Sequence, residues 1–309
     1  MRTRLVLVSV GLVVLLALAL ALAPVDLGRA FGYAAINPFG AAMALLAYTG
    51  AFALRATSWR PLVGERVPFA RLFSLLMGAL FLNHAAPAKS GDFARMYALA
   101  RRVSAEQAVA SVVLSRVVDL VGLLAVLAAA LALSGAGGVE GILLPLLAVC
   151  GAAVVLFLLA RLKVPASFGA ISRHAGRLQE ALRGTSGMAL LTSFVFAAPA
   201  WVLEAGMLAF VARGLGLDLS PAELVAATCF AVLVAAVPLT PGSLGTYEAG
   251  MVAALLAIGV PAEPAFAVAV MTHAVKFLYA LAAAPFALKE GFAAVREREA
   301  RADETRLEV

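Results

Sequence analysis

The sequence predicts an all-α protein that crosses a membrane several times. Of its 309 residues, 63% are hydrophobic and only 14% are charged, whereas soluble domains are about half apolar and a quarter charged. A soluble protein of this composition could not cover its surface with polar groups. Long apolar runs that alternate with short basic segments predict the same class.

Six apolar runs are long enough to form membrane-spanning helices, which need about 20 residues to cross the hydrocarbon core. They lie near residues 5–23, 35–54, 107–133, 141–160, 189–212 and 265–288. The first run also resembles a signal peptide. We interpret it as a retained span, because it is long enough to cross the membrane and Pro24 would directly follow the cleavage site.

Three further apolar segments are shorter, at residues 72–82, 222–237 and 249–260. The first ends before a break with the sequence PAKSGDF (Pro87–Phe93), and the other two flank a break with the sequence PGSLGTY (Pro241–Tyr247). Segments of this length suit half-spanning helices better than full spans. We therefore expect two broken helical hairpins that enter the membrane and return to the same side.

Arginine and lysine concentrate in four segments: the N-terminus, the loop after the second run, and residues 84–106 and 161–188. If the hairpins return, all four lie on one side, and the positive-inside rule makes that side cytoplasmic. We therefore predict a multi-pass inner-membrane protein with both termini cytoplasmic. The net charge of +6 needs no nucleic-acid partner to explain it. Residues 166–183 are predicted to form an interfacial amphipathic helix.

The two breaks suggest an internal repeat. Both read P-x-x-x-G, then a small polar residue, then an aromatic, and each precedes an apolar run that carries two ionic residues: Arg116 with Asp119, and His273 with Lys276. Three crossings in each half would invert the second half relative to the first, as in many secondary transporters. The predicted units are two inverted membrane repeats, 1–133 and 141–288, and a charged tail, 289–309.

Arg116 and Asp119 are charged residues within an apolar run. A charge at the centre of a spanning helix costs about 2.5–3.5 kcal/mol on insertion scales, so it needs a partner or a polar cavity. Their spacing places them on one helical face, where they can pair. Two interpretations stay open at this point. The pair is a salt bridge that locks this helix to a neighbour, or Arg116 holds a phosphate oxygen while Asp119 orients it.

Glu248 follows the second break and also has two interpretations. In the first turn of a helix that begins near Thr246, its carboxylate would be stabilised by the helix dipole. Alternatively, it pairs with Lys276, His273 or Arg116 across the centre of the protein. Proline and glycine at membrane depth free backbone amides and carbonyls that lipid cannot satisfy. We therefore expect the two breaks to meet at a polar pocket between the halves.

Other polar residues near the breaks have simpler explanations. Asp92 is expected to cap a helix over 93–102, and Lys89 either contacts a headgroup phosphate or snorkels. Ser104 and Gln107 have the spacing of a capping box, and Glu204 is expected to be structurally paired. The three histidines and two cysteines are scattered, and no nucleotide-binding motif occurs, so we predict no metal site and no cofactor.

The segments NHAAPAKSGDFARMYALARR, LSRVVDL, PLTPGSLGTYEAG and MTHAVKF resemble the flippase-like, lysylphosphatidylglycerol-synthase transmembrane-domain family. The resemblance covers nearly the whole chain and implies movement of a lipid or lipid-linked molecule between leaflets. Two positions depart from the family pattern: Ser243 replaces a usual glycine, and His273 replaces an expected arginine. The matched positions are Pro87, Gly91, Asp92, Arg116, Asp119, Pro241, Gly242, Gly245 and Glu248.

The leading functional hypothesis is therefore a flippase for an anionic phospholipid or a polyprenyl-phosphate-linked substrate. Its predicted binding residues are the matched positions together with Lys89, His273 and Lys276. We expect no enzymatic activity, because only a short tail follows the last run and the family's aminoacyl-transferase domain is absent. One alternative is a non-transporting accessory protein for envelope-biosynthesis enzymes. The other is an intramembrane transferase with Glu248 or His273 as general base.

Overall fold

A computed structural model describes residues 27–64, 67–86, 90–135, 151, 170–236 and 240–289. These residues are predominantly helical and include no β-strand. The candidate span at 5–23 lies outside the described residues, as do almost all of the candidate span at 141–160 and the tail after Lys289.

Ten α-helices occur in the described part of the chain. They are α1 (Leu27–Ile36), α2 (Pro38–Val63), α3 (Phe69–Ala85), α4 (Ser90–Leu99), α5 (Ala105–Ser134), α6 (Ala170–Arg183), α7 (Gly187–Gly214), α8 (Pro221–Ala235), α9 (Thr246–Ala257) and α10 (Ala262–Ala282). A short 3₁₀ turn, Pro241–Ser243, lies between α8 and α9.

Four of the helices are long and apolar enough to cross a membrane: α2, α5, α7, and α10 with its continuation to Lys289. They cover four of the six runs that were predicted to span the membrane. The helix α2 is longer than its apolar run, because it continues through Arg55 and Arg60 to Val63. The prediction that Arg55 lies in the loop after the second apolar run is wrong, because the residue is helical. Arg55 can lie within this apolar helix because the carboxylates of Asp119 and Glu204 compensate the charge of its guanidinium.

The short helices α3, α8 and α9 have 17, 15 and 12 residues, which matches the predicted half-spanning segments. The following helix α4 begins at Ser90 rather than at residue 93. Asp92 therefore lies inside its first turn and is not its N-cap, contrary to the prediction. Its carboxylate is engaged by two arginines, Arg95 and Arg116.

Side-chain caps define where several helices begin. Ser104 accepts a hydrogen bond from the Gln107 amide (3.1 Å), so the predicted N-cap of α5 is present. The Gln107 side chain, however, donates to the Leu62 carbonyl (3.1 Å), which ties α5 to the end of α2 instead of closing a capping box. A complete capping box forms at α8 between Ser220 and Glu223.

The packing of the hairpins places the breaks at the centre of the helix bundle. Helix α3 packs on α4, and α8 packs on α9, so each break joins two neighbouring helices. In addition, α3 contacts α10, and α8 contacts α5. The first helix of each hairpin thus packs against the last long helix of the other half. Phe81 and Phe277, both fully buried, lie at the contact between α3 and α10.

Candidate functional site

A cavity of 390 Å³ lies where α2, α3, α5, α7, α8, α9 and α10 meet. Its walls combine aromatic and aliphatic side chains with an unusual number of charged groups for the interior of apolar helices. Helices before and after the midpoint of the chain both contribute. The lining residues with basic or acidic side chains include Arg55, Arg116, Asp119, Glu204, His273 and Lys276.

Glu204 bridges two buried cations. One oxygen accepts from Arg55 Nη2 at 2.7 Å, and the other accepts from Lys276 Nζ at 2.9 Å. The three side chains are at most 11% exposed, and Arg55 Nε also contacts Asp119 Oδ1 at 3.3 Å. This network links α2, α5, α7 and α10. It confirms the structural pairing expected for Glu204 and leaves Lys276 already bound to a carboxylate.

Aromatic rings surround both cations of this network. The Arg55 guanidinium lies 4.2 Å from the centre of the Trp201 ring, and Lys276 Nζ lies 5.0 Å from that of Tyr247. A cation over an aromatic face gains about 2 kcal/mol or more when it is desolvated. The rings therefore help to keep these charges inside the protein.

Arg116 is bound mainly by Asp92, not by Asp119. Its Nε and Nη2 donate to the two oxygens of Asp92 at 3.0 and 2.6 Å, in the fork geometry typical of arginine and carboxylate. The nearest oxygen of Asp119 is 4.0 Å away. The predicted Arg116–Asp119 pairing is therefore the weaker contact, because packing brings α4 against α5 and Arg55 engages Asp119.

Arg116 differs from the other cations in its exposure. Its side chain is 45% exposed and lines the cavity, whereas Arg95, the second arginine bound to Asp92, is 2% exposed. Asp92 therefore retains a buried partner if Arg116 swings away. This arrangement leaves the Arg116 guanidinium available to a second anion.

Glu248 and His273 hold the second break. His273 Nδ1 lies 2.7 Å from Glu248 Oε1, and its Nε2 lies 3.0 Å from the Gly242 carbonyl oxygen. The other Glu248 oxygen accepts from the Gly245 amide at 2.7 Å. Of the three partners predicted for Glu248, the structure selects His273. Because Glu248 lies in the first turn of α9, both of its interpretations are realised together.

Glycine and serine shape this break. Gly242 and Gly245 have φ values of +62° and +83°, a left-handed region that glycine enters without cost. Ser243, at the position where the resembling family usually has glycine, has φ +58° and is the non-glycine residue with positive φ in the described chain. Its hydroxyl donates to the Ala235 carbonyl at 3.0 Å, which satisfies a group freed at the end of α8.

The first break is built similarly and lies beside the second. Ser90 donates to the Leu82 carbonyl at 3.1 Å, and the Gly91 amide donates to the Asn83 side chain at 2.9 Å. Gly91 packs directly on the backbone of α3, where a Cβ atom would collide with a carbonyl oxygen. The His84 carbonyl is 3.4 Å from the position that a Cβ on Gly242 would occupy. The breaks approach one another, as predicted.

Comparison with known proteins places these features in a family. The sequence profile of the lysylphosphatidylglycerol synthase TM region matches residues 5–284. The chain belongs to this family. No curated protein and no solved structure matches. Family membership together with the four long apolar helices makes this a membrane-embedded domain related to lipid handling.

Two predicted site residues, Pro87 and Lys89, lie outside the residues that the structure describes in this family member. Pro241 begins the 3₁₀ turn of the second break. Across the described ranges, no group of three or more histidine, cysteine, aspartate or glutamate residues could hold a metal ion.

Sequence reasoning missed Arg55 and Tyr247. Tyr247 is 4% exposed and lines the cavity beside Lys276, and its hydroxyl makes no well-directed hydrogen bond among the described residues. A buried hydroxyl that forms no bond is costly, so this group is suited to a ligand that enters the cavity. The break motif already contains Tyr247, but only as an aromatic position. No local signal identifies Arg55, because its role depends on Glu204, far along the chain.

Proposed function

We propose that this protein moves an anionic phospholipid, or another anionic lipid-linked molecule, between the leaflets of the inner membrane. The observation that carries the proposal is a partly exposed arginine, Arg116, on the wall of a polar cavity enclosed by helices that are apolar enough to span a membrane. A charged headgroup cannot cross hydrocarbon without compensation. A cavity with an available guanidinium provides that compensation.

Charge balance supports an anionic headgroup. Glu204 already neutralises much of the charge on Arg55 and Lys276, and Asp92 is shared between Arg95 and Arg116. A phosphate that takes Arg116 from Asp92 strands neither partner, since Asp92 keeps Arg95. Arginine suits this exchange because its planar fork binds carboxylate and phosphate with the same bidentate geometry.

The volume of the cavity indicates which part of a lipid could enter it. A volume of 390 Å³ lies within the range of small-molecule pockets, about 300–1,000 Å³, and accommodates a small phosphate headgroup. We propose that the headgroup travels inside the protein while the chains stay in the lipid.

The reciprocal packing of the two hairpins supports an arrangement as inverted repeats. Helices α3 and α8 each precede a proline–glycine break, and each packs on the last long helix of the opposite half. In inverted-repeat transporters, substrates bind where broken helices meet between the repeats. We also propose that both termini are cytoplasmic, because of the distribution of arginine. The proposal includes no chemical step by this protein.

The test is reconstitution of the purified protein into liposomes of phosphatidylethanolamine and phosphatidylglycerol. Fluorescent phosphatidylglycerol is followed by chemical quenching of the outer leaflet, beside fluorescent phosphatidylcholine as a zwitterionic comparison. We expect the wild type to move phosphatidylglycerol. Arg116→Ala and Arg116→Lys should reduce the rate at least tenfold while the protein stays folded, because neither retains a bidentate phosphate contact.

Arg177→Ala is the matched control, since it also breaks an arginine–carboxylate pair, with Glu106 at 3.0 Å, but outside the cavity. It should transport at the wild-type rate. Wild-type liposomes in which no lipid moves would refute the transport proposal and favour the accessory-protein alternative. A chemically modified lipid, detected by mass spectrometry, would favour the transferase alternative. Unchanged transport by Arg116→Ala would remove Arg116 from the site.

A further inference from the structure

The geometry of the second break points to a proton-binding site. The two ring nitrogens of His273 face two different oxygen atoms: Nε2 faces the Gly242 carbonyl at 3.0 Å, and Nδ1 faces Glu248 Oε1 at 2.7 Å. A carbonyl oxygen only accepts hydrogen bonds, so Nε2 must carry a hydrogen. The ring is 4% exposed, so water does not substitute for either contact.

The second contact then requires one more proton. If Nε2 carries the hydrogen of a neutral ring, Nδ1 is a lone pair, and a lone pair facing an ionised carboxylate at 2.7 Å is repulsive. The contact is attractive only if a proton lies between the two atoms, on the imidazole or on the carboxyl group. Glu248 Oε2 is occupied as an acceptor of the Gly245 amide, so that oxygen offers no alternative. The geometry of the two contacts is therefore the one that a protonated His273–Glu248 pair would adopt.

Loss of this proton breaks one of the two contacts of the ring. If the hydrogen stays on Nε2, the contact between Nδ1 and Glu248 becomes repulsive. If the ring changes tautomer, the hydrogen moves to Nδ1 and the contact between Nε2 and the Gly242 carbonyl becomes repulsive instead. Both contacts hold the Gly242–Gly245 turn against α10, and Gly242 and His273 line the cavity. The glycines of this turn, with positive φ, can change conformation at little cost. Protonation of the pair thus controls the shape of one cavity wall.

Three further titratable side chains border the pair. The ring of His84, on α3, lies 6.5 Å from the ring of His273, measured between ring centres. His84 also lines the cavity. Its Nδ1 lies 2.9 Å from a carbonyl of its own helix and must donate to it, which leaves Nε2 as the acceptor of the neutral ring. The Tyr247 ring packs against the pair at 4.5 Å. Lys276 lies one turn along α10 and is neutralised by Glu204.

We propose that lipid movement by this protein is coupled to a proton that binds the His273–Glu248 pair on one side of the membrane and leaves on the other. The inference rests on the proposed transport function. Only N–H or O–H bonds form and break, as the proton passes from cavity water to the pair and back to water on the opposite side. A lipid with one negative charge and one proton form an electroneutral cargo, so a pH gradient, rather than the membrane potential, would drive net transport.

The first experiment tests the proton site without transport. Because the chain has only three histidines, ¹⁵N-histidine NMR of the purified protein can be assigned with the variants His84→Gln, His174→Gln and His273→Gln. We expect His273 to be an imidazolium, or a neutral ring with the hydrogen on Nε2. A neutral ring with the hydrogen on Nδ1, or a spectrum that does not change when the pH of the sample is raised, would overturn the proposal.

The second experiment tests coupling in liposomes that contain fluorescent phosphatidylglycerol. For one proton per lipid, a gradient of one pH unit should change the equilibrium ratio of the probe between leaflets by about tenfold. Glu248→Gln should equilibrate the probe evenly under the same gradient, because its amide imitates the protonated acid and cannot release the proton. His273→Gln should behave in the same way, whereas His174→Gln, a substitution in α6, should retain the wild-type ratio.

The outcomes separate the two proposals. If wild-type protein moves lipid but distributes it evenly under the gradient, the coupling is refuted and the transport function stands. If no lipid moves at any pH, both transport and coupling are refuted, whereas a titrating His273 in the NMR experiment would still establish the proton site. If His273→Gln does not fold, the comparison rests on Glu248→Gln.

Discussion

The Arg55–Glu204–Lys276 network makes a quantitative prediction about stability. Glu204→Gln preserves the shape of the side chain but removes its charge. Arg55 keeps Asp119 at 3.3 Å, whereas Lys276, 5% exposed, has no other carboxylate within 4.0 Å in the described ranges. Removal of one partner from a buried ion pair costs about 3–5 kcal/mol. We expect a loss of this size for Glu204→Gln, borne mainly by the stranded lysine.

Removal of the lysine instead of the carboxylate should reduce the free energy of unfolding by a smaller amount. In Lys276→Met, Glu204 keeps its bond from Arg55 at 2.7 Å, so the loss is one hydrogen bond between charged groups, about 1.5–3 kcal/mol. The double variant Glu204→Gln/Lys276→Met removes one charge of each sign and strands no cation. It should be at least about 1 kcal/mol more stable than Glu204→Gln alone, because a buried charge is costlier than an apolar replacement.

The measurement is the free energy of unfolding by detergent titration for the wild type, both single variants and the double variant. Glu263→Gln is the matched control, since it removes an exposed carboxylate from the first turn of α10 and should cost less than about 1 kcal/mol. Additive losses, with the double variant less stable than Glu204→Gln, would show that Lys276 does not depend on Glu204 and would refute the reasoning.

Three further predictions concern the breaks and the cavity. Gly91→Ala should destabilise the protein by about 1–3 kcal/mol, because its new Cβ would collide with the α3 backbone; Gly187→Ala, which has open space around it, should leave the thermal midpoint unchanged or higher. Asp92→Asn should lower the thermal midpoint more than Arg116→Ala does, because it removes the carboxylate that pairs with the buried Arg95. Equal midpoints for the two variants would contradict this. Tyr247→Phe should keep the midpoint of the wild type but slow movement of fluorescent phosphatidylglycerol several-fold, since its buried hydroxyl makes no well-directed hydrogen bond in the described part of the protein; an unchanged rate would show that the hydroxyl does not contact the lipid.

The sequence by itself determined the class of the protein and the positions of its main elements. Composition and run length decide whether a segment can lie in lipid, and both are local properties. The proline–glycine breaks are local too, because the backbone preferences of proline and glycine do not depend on distant residues. The long helices α2, α5, α7 and α10, and the two breaks, were therefore predictable within a few residues, apart from the extension of α2 through Arg55.

Only the tertiary structure decided which charges meet. Helical periodicity shows that Arg116 and Asp119 share a face of α5, but a guanidinium pairs with the carboxylate that packing brings closest, and that is Asp92 on α4. Arg55 and Glu204 are likewise far apart in the chain and 2.7 Å apart in the fold. Ion-pair energy depends on distance and burial, and neither is a property of a segment alone. The sequence could identify the charged residues of the cavity, but their partners depend on how seven helices pack around it.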